Sequence, residues 1–188
     1  MANRTMEIRS AHTGLRSAGN AENPIIEAEF AVFDEVYDLG YCTESIDPHA
    51  FDDQLGEDIR ALVDHRSELV LGRTTAQTLH FTLTPRALRG RVDINPNDLD
   101  AMNLWHRVQR GDVSQCSFGF DILEEERSVR NGKDHYLIRK IKLHEVSIVT
   151  FPAYKSTFAT ARSEQRRNAS FAAWKLERER KISKWQEH

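Results

Sequence analysis

The chain has 188 residues, 39% of them hydrophobic, and a formal net charge of −3. That is long enough for one domain with its own core, and too nearly neutral for bulk attraction to nucleic acid or to a membrane surface. Two cysteines, Cys42 and Cys116, make neither a disulfide framework nor a CxxC metal site, so a reducing compartment without structural zinc is expected. No segment approaches the 18 or so apolar residues of a membrane span, and the first residues lack the apolar stretch of a secretion signal. Charge is uneven along the chain. From Arg162 onwards eight Lys/Arg face four Glu, which leaves an acidic body and a basic tail.

In chain order, residues 1–23 are polar and aperiodic and read as a flexible arm. Ile26, Ala28, Phe30 and Val32 then alternate with Glu27, Glu29 and Ala31, the period of a half-buried strand. Asp47-Pro48 supplies a cap and a first-turn proline for a short helix carrying Ala50, Phe51 and Leu55, with Gly56 as its stop. Ala61-Leu62-Val63 is a short strand, so His65 falls at a strand end. Strands are also expected at Thr78–Thr82 and Arg91–Ile94. After Asn95-Pro96-Asn97, the spacing of Leu99, Met102, Trp105 and Val108 predicts a helix from about Leu99 to Gln109, ended by Gly111.

Asn131-Gly132 is a type I′ signal that joins two long antiparallel strands, Ser117–Ser128 and His135–Thr150. In the second, strict alternation places Ile141, Leu143, Glu145, Ser147 and Val149 on one face and Lys142, His144, Val146 and Ile148 on the other. Residues 163–188 read as a charged helix with widely spaced Phe171, Trp174, Ile182 and Trp185. The expected layout is an arm over 1–23, one domain over 24–161 and a tail over 162–188. Many short strands and few helices favour an antiparallel barrel or sandwich with peripheral helices. The sequence carries no GxGxxG, P-loop or HExxH, and no cofactor is expected.

Residues able to do chemistry are few. Between a helix end and a strand start, Phe118 and Phe120 alternate with Ser117 and Gly119, which turns the serine towards the opposite face from the two rings. A serine hydroxyl needs a base, and neutral imidazole is the usual one. Of eight histidines, His65 sits best for reaching a cleft from a rigid strand, whereas His80 and His106 read as structural. The separation of His65 and Ser117 in sequence says nothing by itself, because such pairs are recognised by geometry.

Four ordered blocks carry a family resemblance. Asp38 to Phe51, with Gly40, Glu44, Ile46, Ala50 and Phe51, resembles the opening of the tailed-phage prohead proteases. Leu62-Val63-Asp64-His65 resembles that family's catalytic histidine motif, with Leu71-Gly72-Arg73 after it. Gly111-Asp112-Val113 through Ser117-Phe118-Gly119-Phe120 resembles its nucleophile motif, and Leu143 to Ala153 its Leu-x-Glu-Val-Ser block.

The resemblance implies an α+β fold like the herpesvirus assemblin peptidases, mainly an antiparallel β-barrel ringed by helices. It implies a serine endopeptidase that cuts capsid precursor and scaffold segments, and itself, in the assembling procapsid within the host cytoplasm. A homo-oligomer with no nucleic-acid or membrane partner is expected. Ser117 is then the nucleophile, in competition with Ser114, and His65 the base. Cys116, turned to the opposite face, reads as a core thiol. Glu145 is the preferred orienting group over His144, the two pointing to opposite faces. No arginine lies between Leu143 and Lys155 to serve an oxyanion; Arg66 and Arg73 are candidate electropositive neighbours of the base, with solvated surface arginines as the default reading. The alternative is an inactive scaffold-binding protein of the same fold.

Overall fold

The computed structural model describes residues 6–11, 14–33, 35–151, 175–180 and 182–183. Its elements are β1 (Glu7–Ala11), β2 (Arg16–Gly19), β3 (Pro24–Val32), β4 (Tyr37–Asp38), β5 (Cys42–Ile46), a 3-10 helix (Pro48–Gln54), β6 (Arg60–Val63), β7 (Arg66–Arg73), β8 (Leu79–Leu83), β9 (Ala87–Asp93), α1 (Leu99–Arg110), β10 (Gln115–Arg130) and β11 (Lys133–Val149). Residues 175–180 are helical. Phe171, Trp174 and Trp185, expected on the tail helix, lie outside the described residues.

The strands make two sheets. One has seven strands, with β1-β10-β11-β5-β4 in order and β6 and β7 joined through β11; the other runs β2-β3-β9-β8. Among the described residues no strand pairing links the two, so the expected closed barrel is corrected to two open sheets. Nor is the pairing purely antiparallel, because β11 runs parallel to both β5 and β6.

The reason for the parallel pairs is local. One edge of β11 is covered along its length by its hairpin partner β10. On the other edge β5 pairs with Asp134–Ile138 and β6 with Glu145–Ile148. The chain between them crosses over through the 3-10 helix, which fills the gap: Asp47 donates its N–H to the Ile138 carbonyl at 2.9 Å, and the Gln54 Oε1 accepts the Leu143 N–H at 2.9 Å. A crossover of this kind is what two strands running the same way along one edge require.

Local signals act as their chemistry directs. The Asp98 carboxylate accepts the N–H groups of Asp100 and Ala101, and Gly111 ends α1 at φ 83°. Asn131 (φ 52°) and Gly132 (φ 76°) close the hairpin with Arg130 opposite Lys133. The stretch read as an arm contributes β1, which pairs with β10, and β2, which pairs with β3. Its polar sequence hides them because β1 is a five-residue edge strand whose buried members include Arg9 and Ser10.

Between the sheets lie Ile26, Phe30, Leu88 and Val92 from one side and Phe118, Phe120, Val146 and Ile148 from the other. Phe51 of the 3-10 helix meets Phe118 with ring centroids 5.9 Å apart, and Phe118 stacks on Phe120 at 4.9 Å. Each such buried ring contributes roughly 1.5–3 kcal/mol. Trp105 fixes α1 to this body by donating its indole N–H to the Ile25 carbonyl at 3.0 Å.

A buried ionic cluster ties distant parts of the chain together. Glu44 of β5, fully buried, takes Arg9 of β1 at 2.6 and 3.1 Å and Arg178 of the helical stretch at 2.9 Å. Arg178 also binds Glu125 at 2.8 Å and lies 4.2 Å over the Tyr136 ring. Burial pushes Glu44 up, but the two guanidinium groups outweigh it and hold its carboxyl below the usual range. For Glu125 burial dominates over Arg178, and the net shift is upward. Removing one member of such a cluster leaves a buried charge unmatched, at a cost of about 3–5 kcal/mol.

His135 is buried within β11, its Nδ1 2.9 Å from the Thr43 Oγ1 and its Nε2 3.1 Å from the Ser45 Oγ. Burial, with Arg130 adding to it and Glu44 opposing it, holds its pKa below 6.5. The unfolded chain therefore takes up this proton more readily than the folded one. The stability it contributes is present above the ordinary histidine value and is lost as pH falls towards the lower folded value. Thermal melts at pH 7 and pH 5 should show a smaller acid destabilisation for His135→Gln than for the wild type; equal losses would remove His135 as a cause.

Candidate active site

The face of the seven-stranded sheet that looks away from the core collects the residues of interest. Ser10 of β1, Ser117 of β10 and Ser147 of β11 are directly opposed across the ladders and form one row. In the next row Ile8, Gly119 and Glu145 are opposed in the same way. Ser10, Ser117 and Ser147 are all buried, with Ser117 at 0% exposure.

His65 enters this face from the far edge of β11. The β6–β7 turn is the two residues Asp64 (φ 48°) and His65 (φ 60°), between Val63 and Arg66, which are paired. Two left-handed non-glycine residues in succession are costly, on the order of 1–2 kcal/mol each, and need outside support. Asp64 supplies it: its N–H donates to the Ile148 carbonyl at 3.0 Å, and its carboxylate accepts the Thr150 N–H at 2.7 Å and the Thr150 hydroxyl at 3.1 Å. The His65 N–H donates to the Ser147 Oγ at 3.2 Å.

So held, the His65 Nδ1 lies 2.7 Å from the Glu145 Oε1. A carboxylate only accepts, so Nδ1 carries the proton and Nε2 presents its lone pair. The second oxygen, Glu145 Oε2, accepts the Ser147 hydroxyl at 2.5 Å. Gly119 makes room for the carboxylate, because a Cβ there would stand 2.5 Å from the Glu145 Oε1 and 2.8 Å from the Met6 Sδ. The His65 side chain remains 21% exposed and that of Glu145 only 7%, so the pair opens to solvent at the imidazole.

His144 makes a different contact. β11 carries one extra residue at this point, Phe120 pairing with Leu143 and Gly119 with Glu145, and His144 is bulged between them. Its Nε2 pairs with Asp121 at 3.1 Å. The bulge also corrects the alternation read from sequence: Ile141 and Leu143 lie in the core together with Val146 and Ile148, so Leu143 does not share the face of Glu145.

Of the competing nucleophiles, Cys116 is fully buried on the core side, with its Sγ 3.1 Å from the Glu29 carbonyl, and Ser114 is exposed before β10 begins. The Ser117 hydroxyl donates to the Arg9 carbonyl of β1 at 2.8 Å, and among the described residues no hydrogen bond joins it to His65. Arg66 and Arg73 pair with Glu68 and Asp58 at the surface. The structure thus joins His65 to Glu145, places Ser117 on the same face one strand away, pairs His144 with Asp121, keeps Cys116 on the core side and leaves Ser114 before the strand. Ser147, Asp64 and Gly119 are the supporting residues that motif reasoning did not single out.

Among the described residues no group of three or more His, Cys, Asp or Glu could hold a metal ion, and no helix is long and apolar enough to cross a membrane. The family model described as caudovirus prohead serine protease matches residues 7–170. No curated protein and no solved structure matches the chain.

Proposed function

Because the chain belongs to the caudovirus prohead serine protease family, a family of serine peptidases acting in capsid maturation, we propose that Ser117, His65 and Glu145 are its catalytic residues. The substrates in this reading are capsid-precursor and scaffold segments inside the assembling procapsid, with self-cleavage of the chain's own termini. The observation that carries it is the His65–Glu145 pair at 2.7 Å, held on the face that also bears Ser117.

In the reaction, the Ser117 Oγ attacks the scissile carbonyl while the His65 Nε2 takes its proton. Glu145 keeps Nδ1 protonated and stabilises the imidazolium as it forms. His65 then gives the proton to the leaving amine, and a water activated by the same imidazole hydrolyses the acyl-enzyme. Ser147 and the Asp64 turn act through the other two: the first orients the carboxylate, the second fixes the ring.

Co-expression with the cognate capsid precursor tests the reading. Wild type is expected to convert the precursor, while His65→Ala leaves it full length; conversion by His65→Ala at the wild-type rate sinks it.

A further inference from the structure

Ser117 is fully buried and its hydroxyl is engaged by a peptide carbonyl of its own chain. We infer that the outer edge of β10 is the docking surface for an extended substrate peptide with a basic residue, and that β1 occupies it as an internal stand-in which the substrate must displace. This rests on Ser117 being the nucleophile.

Three observations support it. First, β1 lies antiparallel along β10 from Phe120 to Cys116, so the strand that bears the nucleophile already binds an extended segment through its backbone, the way strand addition binds peptides. Second, the group accepting the Ser117 hydroxyl at 2.8 Å is the carbonyl of Arg9, the same functional group that a protease nucleophile attacks. Third, the attachment is narrow. Among the described residues β1 is a five-residue end strand that pairs with β10, and its Arg9 guanidinium reaches the buried Glu44 carboxylate at 2.6 Å.

Glu44 also gives the docking surface a chemical preference. The residue whose carbonyl meets Ser117 directs its side chain to a fully buried carboxylate, so a peptide replacing β1 is best matched there by arginine or lysine. Met6, 2.8 Å from where a Gly119 Cβ would stand, packs beside Glu145 and covers the adjoining row. Displacing β1 uncovers Ser117 and the approach to His65 together.

The test compares cleavage of the capsid precursor by the full chain and by two variants that loosen β1. Arg9→Met removes its ion pair with Glu44, which Arg178 still contacts at 2.9 Å, and Ile8→Pro interrupts its pairing. Each variant that melts cooperatively is expected to cleave about tenfold faster than wild type, the change that about 1.4 kcal/mol makes in the population of the uncovered state. A synthetic peptide of residues 6–11 added to Ile8→Pro should slow it again, and the same peptide with methionine for arginine should do so at least about tenfold less well. Folded variants that cleave at the wild-type rate overturn the occlusion, and equal inhibition by the two peptides overturns the basic preference. If Ser117→Ala cleaves as fast as these variants, the failure lies instead in the nucleophile assignment.

Discussion

Replacing Ser117 by alanine is expected to lower cleavage of the capsid precursor by on the order of 10⁴- to 10⁶-fold, with the fold unchanged. The fold should survive because the hydroxyl, among the described residues, bonds the Arg9 carbonyl of an edge strand, whereas the hydrophobic packing of β10 comes from Cys116, Phe118 and Phe120 on the other face. Ser114→Ala and Cys116→Ala should stay close to wild type. Ser114 precedes the strand and is exposed, and the Cys116 thiol is sealed on the core side against the Glu29 carbonyl. Turnover by purified protein, with a melt to confirm folding, separates the three. A Ser117→Ala variant retaining more than about a hundredth of wild-type turnover points to another nucleophile.

Glu145→Gln is expected to cost about 10⁴-fold in turnover. The amide is close in size to the carboxylate, so the room made by Gly119 still accommodates it. What changes is the proton count. A glutamine NH2 turned towards His65 donates where the carboxylate accepted, which favours the tautomer with the proton on Nε2 and removes the lone pair needed by the serine. Glu145→Gln also takes away the negative charge that, in the proposed reaction, stabilises the imidazolium. His144→Ala should stay within a few-fold of wild type, since its bulge directs it to Asp121. Measuring turnover across pH for both variants distinguishes them: a large loss in His144→Ala with little in Glu145→Gln would reverse the assignment.

Much of this site was legible in the sequence, and the reason differs for each residue. The short apolar run Ala61-Leu62-Val63 put His65 at a strand end, and Asn131-Gly132 fixed the hairpin that brings Ser117 opposite Ser147. Once the hairpin register is set, alternation places Glu145 and Ser147 on one face. Strict alternation also put Leu143 there, and failed, because one bulged residue at His144 reverses the phase and nothing in the local sequence marks it. The left-handed Asp64-His65 turn was hidden for a related reason. Its positive φ angles fall on residues other than glycine and are held by Thr150 and Ser147, contacts remote in sequence.

The overall arrangement was harder to read. Strand content and hairpins came through, but whether sheets close depends on pairings between distant edges, and here β11 takes two parallel partners on one side. The N-terminal strands escaped notice because an edge strand with buried Arg9 and Ser10 lacks hydrophobic alternation; its partners, Glu44 and Ser117, lie far along the chain. The same long-range chemistry brings Arg178, from a stretch that reads as a charged helical tail, into the buried cluster with Glu44 and Glu125.

Trapping the attacking oxygen shows whether Ser117 is the nucleophile of this face. Prolonged reaction with a fluorophosphonate transfers the phosphonyl group to the attacking oxygen with loss of fluoride, and peptide mapping by mass spectrometry then locates the adduct. A single adduct on Ser117, absent in His65→Ala, is expected; an adduct on Ser114 or Ser147, with Ser117 unmodified, would contradict Ser117 as the nucleophile.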